Sequence, residues 1–144
     1  MTALTTLEVN ELVYNWYKKL DVHAPVEEVL PLLISSGPEM KFPEGTLRSI
    51  DEFKEWYKKV TNLFFDETHA MKMLNIDCDG ETARVKLVVN WQAHVWNPPA
   101  AKSKWLGFDA LQTWIIKRDA KTGKAVIAVY IVDKLDPMEG SAAL

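Results

Sequence analysis

Cysteine occurs once, at Cys78, in a chain of 144 residues. One thiol cannot close an internal disulfide, so a reducing compartment, the cytoplasm, is the expected location. Glycine is sparse too, with six residues scattered at turns. They form neither G-x-G-x-x-G nor a P-loop, which removes the glycine-rich phosphate cradles. Charge of one sign is not in excess: 17 Lys and Arg stand against 20 Asp and Glu, for a net charge of −3. Without a basic stripe, no nucleic-acid partner is expected. No apolar stretch approaches a membrane span, so no membrane partner is expected either. The start, MTALTTLEVNELV, lacks a basic region followed by an apolar run, so no signal peptide is apparent. There is no H-E-x-x-H, no Cys/His cluster and no acidic calcium loop, and the sequence calls for no metal and no cofactor. A G-x-S-x-G elbow is also missing, and Cys78 sits beside a turn without an obvious base.

Tryptophan, by contrast, is abundant. Four of the six (Trp91, Trp96, Trp105 and Trp114) fall between positions 91 and 114. Each large aromatic buries roughly 150–250 Å². That much indole exceeds what a domain of this size needs for its core, and it suits a pocket for a small apolar molecule. The length fits one domain, with a core expected over about residues 4–137.

The order of elements follows from periodicity. Thr5 to Glu8 spells a capping box, and Val9, Leu12, Val13, Trp16, Tyr17 and Leu20 continue it at helical spacing. Pro25 suits the first turn of a second helix with a stripe of Val26, Val29, Leu30 and Leu33, stopped by Ser35-Ser36-Gly37-Pro38. Met40 and Phe42 suggest a short strand, Pro43-Glu44-Gly45 a turn, and Thr46 to Arg48 a strand pairing back. Ser49 to Glu52 reads as a second capping box, opening a third helix on Phe53, Trp56, Tyr57, Val60 and Phe64. The period then changes to two. Strands are expected over 67–77, 82–95, 108–118 and 124–134, with hairpin turns at Asp79-Gly80 and at 120–123. A loop runs from Asn97 to about Gly107, and the tail from Pro137 is expected to be loose.

Three helices followed by hairpin-linked strands define the α+β class. Four long strands must twist. Helices across the concave side of such a sheet leave a cone-shaped hollow whose open end admits a ligand.

This order resembles the nuclear transport factor 2-like (NTF2-like, cystatin-like) superfamily, and most closely its SnoaL-like polyketide cyclase and ketosteroid isomerase branch. The residues that carry the resemblance are Trp16-Tyr17 late in helix one, Leu20-Asp21 with His23 just beyond, the run MKFPEGTLRSIDEFKEWY, His69 at the head of a strand, and the late strands with Trp91 and Trp114. The resemblance implies three helices on a strongly curved, mainly antiparallel sheet. It also implies isomerase, cyclase, dehydratase or hydrolase chemistry, or plain binding, and in many members a homodimer through the outer sheet face. In the ketosteroid isomerase pattern a helix-one tyrosine works with strand carboxylates. Tyr17 or Tyr14 could supply the tyrosine. Met40 and Phe42 stand where the acidic base is expected, which counts against isomerase chemistry.

Several residues are candidates for chemistry. His69 alternates with Met71 and Met73 and is expected on their inward face. An imidazole there can act as general base or acid, or it can be a buried histidine satisfied by a carbonyl. Asp21 and His23 lie two apart: the carboxylate can fix the imidazole's tautomer, or both can cap local turns. Trp16, Tyr17, Trp56, Met71, Trp91, Trp114 and Tyr130 are candidates for the pocket wall, with packed core as the other reading. The two differ energetically. A packed tryptophan cut to alanine costs roughly 3–5 kcal/mol, whereas a wall residue costs less and loses ligand affinity instead. Asn90, Gln92 and His94 face the opposite way near Trp96, either simply solvated or forming the seam of a homodimer. An enzyme acting on a small apolar molecule through His69, a carrier of such a molecule, and a dimeric interaction module remain the three open readings.

Overall fold

Each helix end is set by an identifiable residue, and those ends decide where the chain meets the sheet. A computed structural model describes residues 2–144. Helix α1 spans Thr6–Asp21. The Thr5 hydroxyl accepts the Glu8 amide at 3.1 Å, and the Glu8 carboxylate accepts the Thr5 amide at 3.3 Å, completing the expected box. Arg118 donates two bonds to the same carboxylate, at 2.6 and 2.8 Å, tying the helix start to the far end of the sheet. Val9, Leu12, Val13, Trp16 and Tyr17 form the buried face.

The second helix is shorter than the stripe suggests. Helix α2 covers only Val26–Val29, followed by a 3₁₀ turn at Leu30–Leu32. Pro31 explains this, since it has no amide hydrogen to extend the α-helical ladder. The chain then runs alongside the sheet, where the Ile34 amide donates to the Ile127 carbonyl at 2.9 Å. Helix α3, Ile50–Leu63, is capped by the Ser49 hydroxyl. The expected return bond is displaced by one residue: Glu52 accepts from the Arg48 amide, not from Ser49.

The strands are β1 Glu39–Phe42, β2 Gly45–Leu47, β3 Phe64–Asp79, β4 Thr82–Val95, β5 Lys104–Arg118 and β6 Ala125–Pro137. They form one sheet in the order β2-β1-β6-β5-β4-β3. All neighbours are antiparallel except β1 and β6. Asp79 pairs with Thr82 around Gly80, whose positive φ suits a turn glycine. Register shifts interrupt β3 against β4 at two places and β5 against β6 at two more. Such bulges bend strands, and here they curve the sheet around α1 and α3.

Five expectations need correction. Strand β3 starts at Phe64, because α3 passes into it with no linker, and β5 starts at Lys104, which shortens the preceding loop to 96–103. Strand β6 covers 125–137 and so extends three residues beyond the expected end. Met73 does not share the face of His69 and Met71: the bulge at Lys72 sets it opposite Val88, and it is exposed, while Leu74, Ile76 and Cys78 take the inner side. The tail is anchored, not loose. Its Met138 amide donates to Gly107 and its Ala142 amide to Trp105, both at 2.9 Å, and the Trp105 ring lies where a side chain at Gly107 would be.

Among the described residues, no helix is long and apolar enough to cross a membrane.

The turn joining β5 to β6 is organised by one buried carboxylate. Asp119 accepts from the Ser35 amide at 2.8 Å and from the Lys121 and Thr122 amides at 3.1 Å. The Ser35 bond, supported by the turn amides, lowers its pKa from 3.8 to about 2. The folded state therefore binds this proton less readily than the unfolded chain. The resulting stabilisation is complete above about pH 4 and disappears as the pH falls toward 2. Urea unfolding across this range should show Asp119→Asn losing less stability with acid than the parent chain. Parallel pH dependences would contradict this account.

Candidate functional site

The end of α1 and the start of β3 converge, and each brings a carboxylate and a histidine two residues apart. After Asp21 the chain cannot continue as a helix, because Pro25 is close and Ala24 must take an extended form before it. His23 turns through a left-handed conformation, with φ of 50°. The Tyr57 hydroxyl anchors this turn by donating to the Ala24 carbonyl at 2.5 Å. On β3, Asp66 is also left-handed, with φ of 52°, and an extra residue bulges out between Phe65 and Thr68.

The pairs form across the two segments. His69 Nδ1 lies 2.6 Å from Asp21 Oδ1. His23 Nε2 bonds to Glu67 Oε2, and the Trp91 indole N–H donates to the other oxygen of Glu67 at 3.0 Å. Asp21 therefore does not hold His23, as local spacing suggests; it holds His69, and Glu67 holds His23. An ionised carboxylate only accepts, so opposite ionised Asp21 the shared hydrogen belongs to His69 Nδ1, and in a neutral ring the lone pair is then on Nε2. The side chain of His69 is 9 % exposed and that of Glu67 10 %, whereas Asp21 and His23 are 31 % and 27 % exposed. An open cleft of about 460 Å³ lies between the Asp21–His23 turn and the Phe65–Thr68 bulge.

Tyr17 stacks on His69, with ring centres 4.8 Å apart and planes 29° from parallel. Its hydroxyl donates to Gln112 Oε1 at 2.7 Å, and the Trp114 indole donates to the same oxygen at 2.9 Å. Burial first, and then Tyr130, raise the Tyr17 pKa well above its ordinary value. Tyr17 keeps its proton and positions the imidazole. Tyr57 is pushed up to about 12, mainly by burial and then by the charges of Glu67 and Glu28. Tyr14 is exposed on the outer side of α1.

The aromatic candidates divide into two groups. Trp16 and Trp114 have no surface that a water-sized molecule can reach. Their ring centres are 6.2 Å apart, and Tyr130 lies 5.7 Å from the first and 5.0 Å from the second. At that depth the expected hollow is filled with packed rings, and Met71 packs against the same core. Trp91 is partly buried beside Glu67, edge-on to Phe64 and stacked on Phe108. Trp56 belongs elsewhere: it stacks on Phe42 at 4.4 Å and donates to Glu44. On the outer face Asn90 donates to Asp109, Gln92 to Asn90, and Trp105 to Gln92, while His94 stacks on Phe65 and Trp96 is exposed. Among the described residues, no group of three or more His, Cys, Asp or Glu side chains is arranged to hold a metal ion.

Glu67, Gln112 and Tyr57 are missing from the sequence-derived candidates. Two of them left a signal. Glu67 precedes His69 by the same two residues that separate Asp21 from His23. Gln112 is the polar member of an inward row running Leu106, Phe108, Ala110, Gln112, Trp114 and Ile116.

No family model matches the chain, and no curated protein matches it. Solved structures match its shape. A protein of unknown function with a cystatin-like fold from Nostoc punctiforme is 17% identical, with a TM-score of 0.68 over 98% of each chain. The hexachlorocyclohexane dehydrochlorinase LinA-type3 of Novosphingobium barchaimii is 11% identical, with a TM-score of 0.74 over 96% of this chain and 92% of that one. A proposed dehydratase of the NTF2-like family from Streptomyces avermitilis is 13% identical, with a TM-score of 0.74 over 92% and 95%. At such identities the likeness defines the fold: the chain has the NTF2-like, cystatin-like architecture.

The geometry around His69 has a spectroscopic consequence. Nitrogen chemical shifts of a labelled sample should show a protonated Nδ1 and a lone-pair Nε2 at neutral His69. Asp21→Asn should mix the two tautomers. An Nε2-protonated ring in the parent chain would contradict the assignment.

Proposed function

We propose that the chain binds a small, largely apolar molecule and removes a proton from one of its carbon atoms, with His69 as the base. The observation that carries this reading is the 2.6 Å contact between His69 Nδ1 and Asp21. It leaves Nε2 as the proton-accepting nitrogen, and Asp21 stabilises the imidazolium that forms. Tyr17, fixed by Gln112, keeps the ring oriented. The cleft supplies apolar contact through Val22 and Phe65, and carbon acids with an apolar body fit that lining. Two neighbours in shape carry names, dehydrochlorinase and proposed dehydratase, that describe eliminations, reactions in which a carbon loses a proton. They support the reading by analogy of fold. The unpaired Cys78 suits the cytoplasm.

The test uses 4-(4-nitrophenoxy)butan-2-one. Loss of the proton beside its ketone expels coloured 4-nitrophenolate, which needs no further proton. The parent chain should release it in a saturable reaction, and His69→Gln should lower kcat/KM by roughly a hundred-fold or more, the usual contribution of a positioned base. Asp21→Asn should show a smaller loss. Equal release by the parent chain and His69→Gln overturns the reading. Tryptophan quenching with the ketone recovered unaltered supports the carrier reading in its place.

The same reading includes a homodimer through the outer sheet face. There Val88, Leu111, Ile115, Val129 and Ile131 remain partly accessible beside the exposed Met73, next to the polar row of Asn90, Gln92 and His94. A second copy would bury this apolar centre within its polar border. Sedimentation should show a dimer that Leu111→Glu weakens. A monomer at all concentrations, or an unaffected dimer in the variant, overturns this part.

A further inference from the structure

We propose that the end of the molecule formed by the β4–β5 loop, the α3–β3 junction and the turn after α1 docks on an anionic lipid surface. Trp96 and the loop tip enter the interface, and lysines engage the headgroups. Docking of this kind goes beyond the reading of His69 as base and does not depend on it. Strand register brings the segments together. Phe64 opens β3 opposite Val95 at the end of β4, and Val95 lies opposite Lys104 at the start of β5. Leu63 ends α3 directly before Phe64, and Val22 lines the same cleft as Phe65. Among the described residues eight large hydrophobic side chains are exposed, and four of them, Val22, Leu63, Phe65 and Trp96, belong to this end. They project from three separate turns. A fluid surface closes around each such side chain, whereas a folded partner needs a contiguous, complementary patch.

The loop itself is suited to leaving water. Residues 96–104 are all exposed. The Trp96 indole N–H nevertheless donates to the Ala100 carbonyl at 2.7 Å, and the Ala100 amide donates to the Asn97 carbonyl at 2.9 Å. Pro98 and Pro99 carry no amide hydrogen. A tip with its polar groups satisfied in this way enters a water-poor region at less cost than an open loop, and a tryptophan ring favours the interfacial zone of a bilayer. Charge complements the shape. The nine residues 96–104 include Lys102 and Lys104 and no acid. Lys18 and Lys59, also exposed, each stand four residues before an apolar member of the patch, Val22 and Leu63. The exposed acids of the adjoining β3 start and tail are Asp66 and Glu139. Lysine stems lie along apolar surface while their ammonium groups reach phosphates and carboxylates. Screening limits such a surface to about 8 Å at physiological salt, so these lysines count for more than the overall charge of −3. No described helix is long and apolar enough to cross a membrane, and surface docking needs none. The cleft between Val22 and Phe65 lies at this end, where a docked chain meets apolar molecules held in the bilayer.

The experiment mixes the full chain with vesicles of phosphatidylcholine containing about one-third phosphatidylserine, and with vesicles of phosphatidylcholine alone, and follows co-flotation. The chain should float with the anionic vesicles and come off as salt is added. Lys102→Ala and Lys104→Ala should each weaken partition roughly five-fold, the factor that one lysine contributes at such a surface. Lipids brominated near the headgroup end of the acyl chain should quench the parent chain's fluorescence. Trp96→Phe, which keeps an aromatic ring at the tip, should still float and should lose that quenching. All three substitutions fall on exposed residues, and circular dichroism should show the parent fold in each. No flotation, equal flotation with both kinds of vesicle, unchanged partition in both lysine variants, or undiminished quenching in Trp96→Phe overturns the proposal. A dimer that depends on Trp96, without flotation, assigns this end to a second copy and overturns it as well.

Discussion

A carboxylate and an imidazole two residues apart on each of two segments can pair within a segment or across. Here they pair across, and the junction between α1 and β3 depends on that crossing. Glu67 and His69 are mostly covered on the sheet side, and Asp21 and His23 more open on the helix side. Removing one partner of a buried pair costs about 3–5 kcal/mol, because a charge is left without compensation. An exposed pair contributes only about 0–1 kcal/mol. The crossed pairs join a covered member to an exposed one, so each exposed side chain satisfies a group the fold has already withdrawn from water. The Tyr57 bond to Ala24 and the Tyr17 stack on His69 keep both segments in the register this requires.

Packing decides where such chemistry can sit. The deep part of the concave face is occupied by Trp16, Trp114, Tyr130 and Phe53 in mutual contact. Polar atoms among them need partners, and Gln112 satisfies two at once by accepting from Tyr17 and Trp114 on one oxygen. With the interior filled, groups that exchange protons with a ligand must stand at the rim, where the strand bulges and the helix ends. Tryptophan therefore serves several ends: Trp16 and Trp114 build the platform, Trp56, Trp96 and Trp105 lie elsewhere, and Trp91 touches the charged cluster through Glu67.

Solved structures of similar shape and 11–17% identity bear names ranging from unknown function to dehydrochlorinase. A shared backbone with so little shared sequence fixes where a site can form without fixing its reaction. In this chain the features that shape the cleft are local. A left-handed histidine follows α1, a bulge opens β3, and the cleft between them holds carboxylates without a lysine or arginine.

Much of the architecture was legible because it depends on periodicity. The stripes of α1 and α3, the alternation of β4 and the Asp79-Gly80 turn all report local geometry that tertiary packing then reinforced. Departures arose where one residue changes the count. Pro31 ended α2 after a single turn, and the bulge at Lys72 carried Met73 to the outer face. A bulge leaves little trace in a pattern of period two, since it depends on the neighbouring strand. The candidate site shows the same division. His69, Asp21, His23 and Tyr17 were recognisable by residue type; the structure pairs Asp21 with His69 and stacks Tyr17 on that ring, while His23 pairs with Glu67. Which carboxylate serves which imidazole was not recognisable, because sequence proximity favours Asp21 with His23, separated by two residues, over Asp21 with His69, separated by 48. Only the docking of α1 against β3 reverses that preference. Reactive pairs are therefore best sought by asking which segments the topology forces together, and then which polar side chains on them would otherwise be buried alone.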